Sequence, residues 1–314
     1  MSHLKQRMKH RTTFVTLSLV FGLFAATAMA KNVDGTIGTA ASTGLSTELL
    51  GGIPAAAIEL NINTFEQNYI SIDLASPGVS TPIVPVQVEQ VASGTFVDND
   101  FSRHYLLSKL NVLIAVDTAD GSWDWVGNTT PMSDNEFWTA IRWDPETGNT
   151  YATTCTSDRT GCYLYTVDMT DGRATQIARV GTPTEQWFPM EIAIDSKGRL
   201  FMINIGVDYK NWLARIDKET GAVTVIGDTG ISPMYIQGVD FDRRDDTLYW
   251  AAMGNLAPAG GPQGQLYSVN TETGEPTFLG VLPNGGSEVW ALSIATAPAT
   301  GGDDVIFADG FESP

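Results

Sequence analysis

Residues 188 to 227 read FPMEIAIDSKGRLFMINIGVDYKNWLARIDKETGAVTVIG, and this stretch decides the fold. It contains four short runs of apolar and β-branched residues, set apart by Asp195 to Gly198, a longer polar connection and Asp217 to Gly221. Runs of about five residues bounded by Asp and Gly are strands joined by tight turns. A helical period of any length is absent.

The same unit recurs along the chain. A strand ending in Asp or Asn, a Gly-closed turn and a second strand appear as LIAVDTADGSWDWVG (113 to 127), LYTVDMTDGRATQIA (164 to 178) and LYSVNTETGEPTFLG (266 to 280). ISIDLASPGVSTPIV (70 to 84) is a divergent copy. A second module alternates with the first, as FWTAIRWDPETGNTYATT (137 to 154) and YIQGVDFDRRDDTLYWAAM (235 to 253), with a weaker version over Ser93 to Ser108 and a final opening at Val289. Asp117, Asp168, Asp217 and Asn270 lie 51, 49 and 53 positions apart, and Asp98, Asp144, Asp195 and Asp242 lie 46, 51 and 47 apart. Four short strands per period of about 50 residues are the signature of a β-propeller blade. A sandwich or a β-helix has no reason to repeat four strands at that interval.

The expected fold is therefore all-β, a single propeller over 56 to 297. Five inner strands, near Gly94, Ile141, Ile192, Gly238 and Leu292, imply five blades, with six as the alternative. The last blade would close by pairing Val289 to Thr296 with N-terminal strands around Ile70 to Val84, plus either Ala56 to Ile62 or Asp304 to Phe307. Joining the chain ends removes open sheet edges.

The order of strands and Asp-Gly turns over residues 70 to 295 resembles the blades of NHL-type and YVTN-type propellers and related exported bacterial propellers. That resemblance implies a fold and no activity, because such blades host lyases, lactonases, oxidases and binding scaffolds. It also implies that WTAIRWD-like strands are innermost and that Ala174 to Ile177 is outermost. The ending IFADGFE (306 to 312), within a tail of 298 to 314, is similar to a short C-terminal ending of assorted exported Gram-negative proteins.

Export is expected from the first thirty residues. Lys5, Arg7, Lys9 and Arg11 precede an apolar run from Phe14 to Ala26, and Ala28-Met29-Ala30 supplies a small-x-small cleavage pattern, so 1 to 30 read as a signal peptide and 31 to 55 as a flexible lead-in. An uncleaved anchor is the alternative, but the run is shorter than the roughly 20 residues that span a bilayer. The whole chain of 314 residues carries 18 Lys+Arg and 36 Asp+Glu, a net charge of -18, and removal of the leader takes this to -22. Such a surface repels nucleic acid and anionic lipid, which leaves an extracellular small ligand, glycan or protein as the expected partner. In an oxidising compartment Cys155 and Cys162, flanking a six-residue loop between strands, read as a hairpin-end disulfide.

Candidate site residues follow from loop lengths. The Asp-Gly turns are short, and their carboxylates are expected to cap backbone N–H groups; no cofactor is expected, Ca²⁺ at these turns being the alternative. The long connections gather at the opposite face, where binding residues concentrate on a rigid scaffold. They lead into Glu136-Phe137-Trp138, Glu185-Gln186-Trp187 and Glu288-Val289-Trp290, with Tyr235 in the remaining blade. Glu136, Glu185 and Glu288 with Trp138, Trp187, Tyr235 and Trp290 would then ring the channel mouth as an acidic, aromatic funnel for a sugar or cation. Wedging of these indoles between blades is the competing reading. Carboxylate-dependent hydrolysis or lysis of a glycan would use the same glutamates, with His104, the single histidine after the leader, as the other candidate base. His104 itself reads as a strand-end residue.

Overall fold

The computed structural model describes residues 52–86, 88–205, 210–233, 237–254 and 263–298. The leader, the lead-in to residue 51, Tyr235 and the tail from 299 onward lie outside the described residues.

Twenty strands form five four-stranded antiparallel sheets. The first blade holds β1 (Pro54–Leu60), β2 (Gln67–Asp73) and β3 (Ser80–Pro85). The second comprises β4 (Val91–Val97), β5 (Asp100–Ser108), β6 (Val112–Asp117) and β7 (Trp123–Asn128). The third comprises β8 (Glu136–Trp143), β9 (Thr150–Thr156), β10 (Cys162–Val167) and β11 (Ala174–Arg179). The fourth runs through β12 (Pro189–Ile194), β13 (Leu200–Ile205), β14 (Asn211–Ile216) and β15 (Val223–Asp228). The fifth holds β16 (Gly238–Asp242), β17 (Thr247–Gly254), β18 (Gln263–Val269) and β19 (Pro276–Val281). The last strand, β20 (Glu288–Ile294), pairs antiparallel with β1 and completes the first blade in the order β20-β1-β2-β3. This is a five-blade β-propeller closed by pairing its two chain ends. The closing partner is Pro54–Leu60, so the first blade has its four strands without the tail.

The turns are built as their residue types dictate. Asp168, Asp217 and Asn270 each accept a backbone N–H two positions on, at 2.9, 3.1 and 2.8 Å, and Gly172, Gly221 and Gly274 close the turns at positive φ. Asp98 and Asn99 are both left-handed, making a two-residue hairpin turn between β4 and β5.

The core is divided among the five blade interfaces. Ala56, Ile58 and Trp290 of the first blade pack with Leu106 and Ile114 of the second, and Leu107 and Leu113 pack with Trp138 and Ile141. Equivalent clusters join the third blade to the fourth, the fourth to the fifth and the fifth to the first. At the rim, Gly127 of β7 lies against the Asp171 carbonyl of the next blade, Gly221 against that of Arg179, and Gly274 against Gly227. The outer strand of each of these blades thus ends under the turn of its neighbour, at contacts too close for a Cβ.

Candidate functional site

The axis is closed from within by side chains that occupy one position in each inner strand. Ser93 of β4, Arg142 of β8, Glu191 of β12 and Asp240 of β16 are each 49 positions apart, and Ser293 of β20 is the fifth. Arg142 is fully buried. Its guanidinium donates to the carbonyls of Ile192 at 3.2 Å, Leu292 at 3.2 Å and Val239 at 2.7 Å, and to Ser293 Oγ at 3.1 Å. Inner strands leave one edge unpaired toward the axis, and a planar five-donor group satisfies three of those edges together. Asp240 at 3.3 Å supplies a countercharge, Glu191 lies 3.6 Å from the guanidinium, and Ser93 Oγ donates to Glu191 at 2.6 Å.

His104 belongs to this cluster. It lies within β5 rather than at a strand end, fully buried, with Nε2 2.9 Å from Ser293 Oγ. Burial, reinforced by the Arg142 charge, pushes its pKa down to about 3. The imidazole is therefore neutral at ordinary pH and shielded from solvent. Burial pushes Glu191 up to about 8 against the opposing pull of Arg142.

Above this plug lies the long-loop face. Glu136 accepts hydrogen bonds from Thr154 and, at 2.8 Å, from the Tyr165 hydroxyl. Glu185 accepts the Thr182 N–H at 2.7 Å, which holds its carboxyl below the usual range. Glu288 is buried, with its charge acting on Lys109, whose own pKa is lowered by burial. Each of the three carboxylates thus has its own local partners.

The indoles of the expected funnel divide differently. Trp138 is fully buried and donates to the Thr129 carbonyl at 2.6 Å, edge-on to Tyr165. Trp290 is 5% exposed and donates to the Val91 carbonyl at 3.0 Å. Both are wedges between blades, their faces taken up by packing in the inter-blade clusters and their N–H groups by backbone carbonyls. Trp187 is half-buried against the interface of the third and fourth blades.

The aromatic surface at the mouth comes instead from residues that the Glu-x-Trp pattern passes over. Phe137 and Phe188 lie 6.1 Å apart, with Lys109 6.0 Å over the first ring and Arg159 5.0 Å over the second. Beneath them the Cys155–Cys162 disulfide joins β9 to β10, with Cys155 opposite Phe137 in the register. On loops of this face, Phe65 and Met132 are each 77% exposed and Leu110 52%. The residues missed had one signal in the sequence, the 49-residue spacing of the axial set; the phenylalanines had none beyond position.

Among the described residues, no group of three or more His, Cys, Asp or Glu is arranged to hold a metal ion. The turn carboxylates face backbone N–H groups and the axial ones face Arg142. A cavity of about 20 Å³, lined by apolar residues such as Val84, Val86 and Ile114, separates the first and second blades. No described helix is long and apolar enough to cross a membrane.

No protein-family model matches the chain. A search among curated proteins finds no match either. Among solved structures the chain is similar to the calcium-binding protein regucalcin of Agrobacterium tumefaciens, at 19% identity and a TM-score of 0.44, over 76% of this chain and 77% of that one. It is similar to the periplasmic gluconolactonase of Pseudomonas aeruginosa, at 11% identity and a TM-score of 0.43, over 74% and 83%. It is also similar to an oligogalacturonate lyase of Vibrio parahaemolyticus, at 14% identity and a TM-score of 0.36, over 69% and 60%.

Proposed function

We propose that this is an exported, non-enzymatic propeller that binds a ligand, a glycan or a partner protein through its long-loop face. The observation that carries the reading is the set of apolar side chains on that face: Leu110, next to the Lys109 that lies over Phe137, Met132, whose N–H bonds the Tyr165 hydroxyl, and the Phe137–Phe188 pair, with Phe65 exposed on a loop of the first blade. Large apolar groups held in water on a rigid scaffold mark an interaction surface. The filled axis supports a surface interaction over chemistry in a deep pocket, since the buried His104 and Glu191 are closed off from any substrate. The leader pattern, the disulfide and the blade and tail resemblances support export.

The test is thermal melting of the exported protein against oligosaccharides, amines, Ca²⁺ and chelator, with cross-linking to neighbours at the cell surface. A ligand that binds only the folded state raises the midpoint. Phe65→Ser/Met132→Ser is expected to abolish the shift or the cross-link without changing the midpoint of the free protein. A glycan-cleaving activity that disappears in Glu136→Gln, Glu185→Gln or Glu288→Gln would replace this reading with the enzymatic one.

A further inference from the structure

A second surface lies on the outer rim of the second blade, away from the long-loop face. Trp123 is 44% exposed and Trp125 54%. They stand two apart on β7, opposite Val116 and Ile114 of β6, and so present both indoles on the same side of the sheet. β7 is the outermost strand of its sheet and pairs only with β6 among the described strands. Beside Trp123 the crevice between the first and second blades offers an apolar wall of Val84, Val86 and Val88.

Charge selects the occupant. From residue 52 to residue 128, the two blades flanking the crevice carry nine Asp+Glu and two Lys+Arg. Of the two cations, Arg103 is 3.6 Å from Asp124, and Lys109 is drawn to Glu288 at the mouth. Asp117 and Asp120 are exposed in the turn that leads into Trp123, while Asp124, between the indoles, points to the other side of the sheet with Arg103. Aromatic faces beside carboxylates, on the outermost strand of a sheet, complement an extended segment whose cationic side chains alternate with small apolar ones. We propose that the rim of the second blade docks such a basic, extended peptide segment of a partner protein. The peptide adds as a strand along β7 and lays Lys or Arg over Trp123 and Trp125.

The experiment uses the full chain and a fluorescently labelled decapeptide alternating Val and Lys, followed by anisotropy at low and high salt. The expected result is saturable binding that weakens with salt, and weakens about tenfold in Trp123→Ser/Trp125→Ser. Asp117→Asn/Asp120→Asn is expected to weaken it too, and keeps the test valid should the tryptophan variant fold poorly. Glu272→Gln/Glu275→Gln, which removes the same charge from the exposed turn of the fifth blade, is expected to change nothing. The proposal is overturned by absence of binding, by equal binding of the Val and Glu peptide, by equal loss in the fifth-blade variant, or by displacement with a neutral oligosaccharide. Failure of the long-loop variants to alter this binding keeps the two surfaces distinct.

Discussion

Arg142 donates a 2.7 Å hydrogen bond to the carbonyl of Val239, 97 positions away and two blades along the ring. With its bonds to Ile192 and Leu292, one side chain ties the inner strands of the fourth, fifth and first blades to the third. Ring closure and burial of a charge are here the same event.

Arg142→Met is accordingly expected to cost about 3–5 kcal/mol, because it leaves Asp240 buried without its countercharge and three carbonyls without a donor. Equilibrium denaturation checks this. Loss under about 1 kcal/mol would mean that the axis relaxes to admit water.

Stability should fall toward both ends of the pH range, for two different residues. His104, lowered to about 3, favours folding fully above its ordinary value of 6.5, and this contribution is lost as pH falls toward 3. Glu191, raised to about 8, favours folding below its ordinary value of 4.5, and that contribution is lost as pH rises toward 8. His104→Gln should flatten the acid limb and Glu191→Gln the alkaline limb of a plot of denaturation midpoint against pH. A Glu191→Gln variant with an unchanged alkaline limb would assign that limb to other groups.

Two glycines should respond in opposite measure to alanine. A Cβ on Gly127 meets the Asp171 carbonyl of the next blade, whereas one on Gly148 meets nothing within 4 Å and suffers only its φ of 71°. Gly127→Ala is expected to cost about 3 kcal/mol, and Gly148→Ala about 1 kcal/mol. Denaturant midpoints of the two variants, measured side by side, test whether the rim contact or the turn conformation matters more.

Removing the disulfide as Cys155→Ser/Cys162→Ser should cost about 2–3 kcal/mol, the loop-closure entropy of so short a loop. Because the hairpin also positions Phe137 opposite Cys155, ligand-induced shifts at the long-loop face should weaken alongside the melting midpoint. An unchanged midpoint would show that the strand pairing alone holds the loop.

The blades are legible in local sequence alone. Strand runs and Asp-Gly turns are local, so a period near 50 residues, the five inner strands and the Cys155–Cys162 hairpin were legible without any knowledge of how blades meet. Which end strand closes the ring was not: Pro54–Leu60 and the tail were both open choices, and β20 selects the former by its register with Ala55 to Leu60. The tertiary structure alone decided the roles of single side chains. Trp138 and Trp290 share a motif with Trp187, yet those two lie within β8 and β20 and enter the blade interfaces, whereas Trp187 precedes the first residue of β12. Ser93, Arg142, Glu191 and Asp240 are evenly spaced in the chain, but only closure of the ring brings positions 49 residues apart within reach of one guanidinium. Periodicity fixes local geometry through hydrogen bonding and side-chain alternation, whereas convergence on an axis depends on the rotation between blades, which no single repeat encodes.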